Sequence, residues 1–371
     1  MRLLYVYNEL DTVSGETAFI ENLKCAMAQR GFDVQCCAIP TCTRGGLLGS
    51  FDYYFRPRML ARAYWAIKSA GKYDVLHFLT SGLSPAARLL RTGPKVATSH
   101  FFIDSYLEHS PNPSPILRLA ESAYARYVSF LDRPAFKSLD RLVACTKNQA
   151  LSISRSYGIR EEEISVIPPG IDCGYFRSLP RADLRSQWGC ERVIAYLGRL
   201  HERSKGVSYL IRAMGKMGRD DAKLLVCGDG PDRAMYERMV RDAGLSGRIA
   251  FLGHLPLREK SIIQKSADAV VMPSKSEVFG TVFAESLACG TPVVAFDLPF
   301  WKGLYDGAGI FVKPFDDAKL ASGIERALER RGVTFAARGK KLAQCYDLRI
   351  VADSYASLYE EVSEEVSGSR K

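Results

Sequence analysis

No stretch of the 371-residue sequence approaches the roughly 18 uninterrupted apolar residues that a membrane-spanning helix needs. An integral membrane protein is therefore not expected. Low-complexity tracts and short-period repeats are also missing, so the chain reads as folded and non-repetitive. Ten cysteines are present, yet no C-x-x-C pair occurs: Cys36, Cys37 and Cys42 cluster and the other seven are scattered. That distribution suits packed thiols in a reducing compartment better than a disulfide or zinc framework. Asp-x-Asp is absent, which removes the usual carboxylate bridge between a metal ion and a diphosphate. The apolar run in MRLLYVYNELD is too short for a signal-peptide core and reads as a first buried strand. The expected location is the cytoplasm.

What is present is ordinary for a soluble globular protein, with 47% hydrophobic and 25% charged residues. The length predicts two domains. The net charge of +10 is spread evenly, +5 in residues 1–165 and +5 in the remainder. Neither half is a dedicated polyanion-binding domain and no DNA- or RNA-binding signature is visible, so nucleic acid is not an expected partner.

Short apolar runs alternate with longer amphipathic ones, the pattern of parallel strands joined by crossover helices. Strands are predicted at Leu3 to Tyr7, Val34 to Ile39, Val75 to Phe78, Lys95 to Ser99 and Leu142 to Thr146. A second set follows at Val193 to Leu197, Lys223 to Cys227, Ile249 to Leu252, Ala269 to Met272 and Pro292 to Ala295. Pro168-Pro169-Gly170 can neither continue a helix nor sit in a central strand, so the junction is placed there. Two doubly wound α/β domains follow, and such domains bind ligands at the carboxyl ends of their strands.

The segment SEVFGTVFAESLACGTPVVAF, Ser276 to Phe296, sets Glu277 and Glu285 on either side of a Phe-Gly-Thr turn that opens a helix. The N–H groups of Phe279, Gly280 and Thr281 point out of that helix start, a site for anionic oxygens. Carboxylates beside such a site accept hydrogen bonds from neutral hydroxyls rather than binding the anion. A phosphate flanked by hydroxyl-rich groups is a sugar nucleotide. The alternative is that both glutamates merely favour the helix start.

Two further turns lie at strand ends. In YLGRLHERSKGVSYLI a Gly198 turn is followed by Arg199 and Lys205, a fork and a point charge suited to a diphosphate. In LLVCGDGPDRAM, Gly228-Asp229-Gly230-Pro231 resembles a dinucleotide turn, but Arg233 stands where the third glycine belongs. An NAD site is not expected.

Taken together, Val166 to Asp172 (VIPPGID), Gly198 to Gly206 (GRLHERSKG), Gly228 to Pro231 (GDGP), Phe251 to Gly253 (FLG) and Pro273 to Ala295 resemble the retaining GT-B glycosyltransferases of family 4. The E-x7-E pair is that family's signature. The resemblance implies two Rossmann-like domains facing a cleft: residues 1–167 binding the acceptor, residues 168–349 binding the donor, and a C-terminal helix at about 350–371 packing back on the first. It implies transfer of a hexose-type sugar from a nucleotide-diphosphate donor to the hydroxyl of a glycan, glycolipid or lipid-linked saccharide. Arg199 and Lys205 would hold the diphosphate, Glu277 the sugar hydroxyls and Glu285 the ribose. Gly198 and Gly228 would shape the turns, Gly253 and His254 would face the base, and the amides of Phe279, Gly280 and Thr281 would meet sugar or phosphate. In the first domain Gly15 would approach the phosphates and His100 the reacting sugar. No metal ion or cofactor is expected.

The sequence departs from the family pattern at Val278, at Ser14-Gly15 and at AFDLP (Ala295 to Pro299), where glycines are commoner. A non-catalytic sugar-nucleotide-binding subunit, or a sugar-nucleotide epimerase, would use much of the same site. Residues 51–74 interleave Arg56, Arg58, Arg62, Lys68 and Lys72 with aromatic and aliphatic residues. A helix of that kind suits either the core or an anionic lipid surface on the inner face of the membrane.

Overall fold

The computed structural model describes residues 1–9, 15–40, 57–90, 93–100, 114–329 and 333–368. The chain divides into two compact units, Met1–Gly170 with Leu348–Lys371, and Ile171–Asp347. Each is a doubly wound α/β domain built on a six-stranded, all-parallel sheet.

In the first unit the strands are β1 (Arg2–Glu9), β2 (Asp33–Pro40), β3 (Val75–Phe78), β4 (Lys95–Ser99), β5 (Arg141–Ala144) and β6 (Ile164–Val166), in the order β2-β1-β3-β4-β5-β6. Their runs are apolar on both faces because both faces are covered. Leu3, Tyr5, Val75 and Val143 meet α1 (Gly15–Gln29) and the C-terminal helix Leu348–Gly368 on one side. On the other, Leu4, Val6, Leu76 and Phe78 meet helix α2 (Pro57–Ser69), a 3₁₀ segment (Ser81–Leu89), the end of α3 (Pro115–Phe136) and α4 (Lys147–Tyr157).

The C-terminal helix is tied down by polar as well as apolar contacts. Tyr359 Oη bonds Tyr5 Oη at 3.1 Å and His77 Nδ1 at 2.7 Å, while His77 Nε2 lies 2.8 Å from Thr98 Oγ1 and Tyr355 Oη lies 3.1 Å from the same oxygen. All five side chains are buried, so the network supplies the partners that buried polar groups require. Arg30 adds bonds to Asp353 Oδ1 at 2.7 and 2.8 Å.

Helix α2 turns its apolar stripe inward: Met59, Ala63 and Ile67 are buried in the core. That stripe packs on the sheet, as a crossover helix must. Residues 51–56 of that segment, Arg56 among them, lie outside the described residues.

The second unit holds β7 (Arg192–Leu197), β8 (Ala222–Cys227), β9 (Ile249–Gly253), β10 (Ala269–Met272), β11 (Val293–Phe296) and β12 (Ile310–Val312), in the order β12-β11-β10-β7-β8-β9. Strand β7 lies inside the sheet between β10 and β8, so the strand order reverses around it and the loops after β7 and β10 open at neighbouring strand ends. Helices α5 (Glu202–Lys205), α6 (Val207–Lys216), α7 (Arg233–Asp242) and α8 (Thr281–Cys289) follow from these strand ends. The edge strands β6 and β12 add to the predicted ones: at three residues each, they carry too little pattern to read.

Candidate functional site

The three glycine turns of the second unit are parts of one structure. Gly198 donates to Cys227 O at 3.0 Å, Leu200 to Asp229 O at 2.9 Å, and Gly228 to Gly253 O at 2.8 Å. A Cβ on Gly228 would stand 1.9 Å from Gly198 O, and one on Gly230 2.3 Å from Leu200 O. The Gly-Asp-Gly-Pro sequence is thus a close-packing partner of the turn after β7. Arg233, in place of a third glycine, bonds Asp229 at 2.9 Å and Glu237 at 2.8 Å, which occupies its guanidinium locally. His254, just after Gly253, is exposed.

Arg199 is exposed, and no partner holds its guanidinium among the described residues. Its backbone is fixed by Tyr196, whose hydroxyl donates to Arg199 O at 2.8 Å. Lys205, at the end of α5, bonds Glu277 Oε1, which also accepts from Ser274 Oγ at 2.9 Å. Lys275 N donates to Ser204 O at 2.8 Å, so the loops that carry Lys205 and Glu277 are joined through their backbones as well.

Between these loops lies Glu202, which sequence reasoning misses. Its carboxylate accepts from Lys275 Nζ at 2.8 Å, Ser208 N at 3.1 Å, Ser208 Oγ at 2.8 Å and Tyr236 Oη at 2.9 Å. Burial alone would raise its pKa, but the hydrogen bonds from Lys275 and Ser208 outweigh burial and lower it. An acid in the first turn of a helix is the one local signal it offers. Its links to Lys275 and Tyr236 are tertiary and leave no trace in spacing.

At the start of α8, Gly280 has φ +71° and lies so close to Trp301 that a Cβ would stand 2.6 Å from the indole. Tyr305 donates to Phe279 O at 3.0 Å and stacks on Phe283 with ring centroids 4.1 Å apart. This aromatic floor holds the turn rigid. Among the described residues no backbone acceptor takes the N–H of Phe279, Gly280 or Thr281. One turn inside the helix, Glu285 Oε2 is buried without a hydrogen-bond partner among the described residues. Native structures leave few such atoms, and each calls for an explanation. The Tyr305 pKa rises through burial first, with Tyr346 and then the charges of Glu277 and Glu285 adding to it.

Gly15 and His100 belong to the first unit. Gly15 is the first residue of α1, and residues 10–14 before it, Ser14 included, lie outside the described residues. His100 follows β4 with its ring edge-on to Phe19 of α1, 4.8 Å between centroids, and Nδ1 3.5 Å from Cys145 Sγ. Its Nε2 is buried without a partner among the described residues, and burial lowers its pKa to about 4, so the ring is neutral at pH 7. The structure therefore gathers Gly198, Arg199, Lys205, Gly228, Gly253, His254, Glu277, Phe279, Gly280, Thr281 and Glu285 within one unit, and Gly15 and His100 within the other. Among the described residues no group of three or more His, Cys, Asp and Glu is placed to hold a metal ion.

Two parallel-sheet domains with glycine turns, cations and an open helix start at the strand ends have the architecture of the GT-B class. The model of the family described as "Glycosyltransferase Family 4" matches residues 13–175, and that described as "Glycosyl transferases group 1" matches residues 185–344. The chain belongs to the family 4 glycosyltransferases of GT-B fold, a class that moves a sugar from a nucleotide-sugar donor. It is 28% identical over 318 residues to the D-inositol 3-phosphate glycosyltransferase of Nocardia farcinica, covering 78% of this chain and 68% of that protein. Of the Mycobacterium bovis protein of the same name, 30% identical over 244 residues or 62% of this chain, the match spans about half the length, 48%. In fold it is similar to sucrose-phosphate synthase from Thermosynechococcus elongatus, with a TM-score of 0.81 at 20% identity over 98% of this chain and 99% of that one. Anabaena HepE in complex with UDP and glucose superposes with a TM-score of 0.74 at 21% identity, over 97% of this chain and 100% of that one.

Proposed function

We propose that this protein is a retaining hexosyltransferase that takes its sugar from a nucleoside-diphosphate donor held in the second unit and passes it to an acceptor hydroxyl bound through the first. The observation that carries this reading is the buried Glu285 Oε2, without a partner among the described residues, one turn inside a helix whose first amides meet no backbone acceptor among them. A ribose hydroxyl satisfies the carboxylate and a diphosphate satisfies the amides. The solved Anabaena HepE complex with UDP and glucose supports a donor of this kind on this fold.

In this reading Arg199 and Lys205 bind the diphosphate and stabilise the charge that develops on the leaving nucleotide, the part a metal ion plays in other transferases. The reaction therefore needs no metal ion. Glu277 accepts from sugar hydroxyls, Gly253 and His254 face the base, and Gly198 and Gly228 bring the turns close. Gly15 is assigned to the phosphates and the neutral His100 to the reacting sugar. The transition state is oxocarbenium-like, and the acceptor hydroxyl enters on the face the phosphate leaves, giving its proton to the departing phosphate oxygen.

Calorimetric titration of UDP, GDP and ADP with chelator present, into wild type and Glu285→Ala, tests the site. One nucleotide should bind, about ten- to a hundredfold more weakly to the variant. Failure of all three at millimolar concentration sinks the assignment.

A further inference from the structure

Among the described residues Phe315 is the one residue other than glycine with a positive φ, +59°. A bulky side chain is strained in that left-handed region, which glycine enters freely. The ring gains only partial shelter there and stays 47% exposed. It leans on Phe296 at the end of β11, 5.7 Å between centroids, and on Tyr209 of α6, 6.0 Å away. Packing alone would be served by a buried ring, so a strained residue that presents an open aromatic face calls for a use of that face.

The three rings lie on the ligand side of the sheet. Phe315 follows β12, Phe296 closes β11 and Tyr209 stands in the first turn of α6, outward from the Lys205 turn toward the edge strand β12. These are carboxyl strand ends, where doubly wound domains bind ligands.

The groups around the rings suit a neutral, hydroxyl-rich ligand. Arg212 and Lys275 lie over Tyr209 at 4.6 and 5.3 Å, but each is held by a carboxylate, Arg212 by Asp317 at 2.9 Å and Lys275 by Glu202 at 2.8 Å. Lys313 lies 3.9 Å from Asp316. The open group is instead an acceptor. Asp297 is exposed, its carboxylate has no partner among the described residues, and its N–H donates to Val312 O at 2.7 Å, which sets it beside the segment that carries Phe315. The other exposed large apolar residues of the second unit, Met235 and Leu257, sit on α7 and beyond β9. One half-exposed ring falls far short of the roughly 800 Å² per side of a stable protein interface, and matches a ligand of about its own size.

We infer that Phe315 and Asp297 form a subsite for one neutral pyranose ring of a saccharide, its C–H face stacked on Phe315 and a hydroxyl donating to Asp297. The subsite is separate from the donor site. The inference does not rest on the sugar-transfer reading, since neither nucleotide nor turnover is needed to observe it.

The test is saturation-transfer NMR of the full chain with maltotriose, mannotriose and lactose, in the absence of nucleotide. At least one of the three should receive saturation from the wild type. Phe315→Gly, whose backbone takes φ +59° without strain, should weaken that binding about three- to tenfold. Phe315→Trp should retain it, and Asp297→Ala should weaken it about threefold or more. The nucleotide that binds wild type should bind Phe315→Gly equally well, so loss of the subsite and failure of the donor assignment are read separately. No saturation of any of the three saccharides, or equal affinity for wild type and Phe315→Gly, would overturn the inference. So would a saccharide signal that Glu277→Gln abolishes and Phe315→Gly leaves, which is binding in the donor site.

Discussion

The ammonium of Lys205 is bonded to the carboxylate of Glu277, the two residues assigned to the leaving diphosphate and to the sugar. Without ligand each acts as the other's counterion. A bound diphosphate must draw Lys205 away from Glu277, and the sugar hydroxyls must then take its place on the carboxylate. Glu277→Gln should therefore leave the affinity for the nucleoside diphosphate that binds equal or tighten it about two- to fivefold, since a partly exposed pair is worth little. Transfer from the corresponding nucleotide sugar should fall about tenfold or more because a charged acceptor is lost. Weaker nucleotide binding in this variant would contradict the assignment.

Gly280→Ala combines two penalties. The residue needs φ +71°, and its Cβ would meet Trp301 at 2.6 Å, in a floor already packed with Phe283 and Tyr305. Backbone strain and overpacking together should cost about 2–4 kcal/mol. The shift in the urea midpoint measures it, and an unshifted midpoint would show that the aromatic floor yields freely.

Glu202→Gln probes support rather than contact. It removes the charge that holds Lys275, and one of its amide hydrogens replaces an acceptor facing Ser208 or Tyr236. Affinity for the nucleoside diphosphate that binds should fall several-fold through the linked loops of Lys205 and Glu277, with a stability loss of about 1–3 kcal/mol. Titration and urea unfolding of the same sample distinguish this from a purely local effect, in which affinity would not change.

Buried His77 makes the first unit acid-sensitive. Burial, and secondarily His100, pushes its pKa from 6.5 down to about 3. Between those values the unfolded chain takes up a proton that the folded one refuses, so stability is complete above pH 6.5 and is lost as pH falls toward 3. At about pH 5 the loss from His77 is about 2 kcal/mol. His100 acts in the same direction. The drop in melting temperature between about pH 7.5 and about pH 5 should shrink in His77→Gln. An equal drop would assign the acid sensitivity elsewhere.

Strands with four or more apolar residues, such as Ala269–Met272 and Val293–Phe296, were legible because a buried parallel strand needs such a run. The E-x7-E pair and the helix start at Thr281 were legible because glycine and helix spacing are local signals. The three-residue edge strands were not. Neither was the orientation of α2, since a basic amphipathic pattern is the same whether its apolar side meets a core or a lipid.

Composition, periodicity and turn residues thus determined on their own the doubly wound class, the places of the glycine turns and the carboxylates and cations beside them. Only the tertiary structure decided which of these groups are paired and which are left open. Lys205 is tied to Glu277 and Lys275 to Glu202, whereas Glu285 Oε2 and His100 Nε2 are buried without partners among the described residues. Whether a polar atom finds a partner depends on residues far along the chain, 72 positions apart for the first pair and 73 for the second, and spacing within a motif does not encode that.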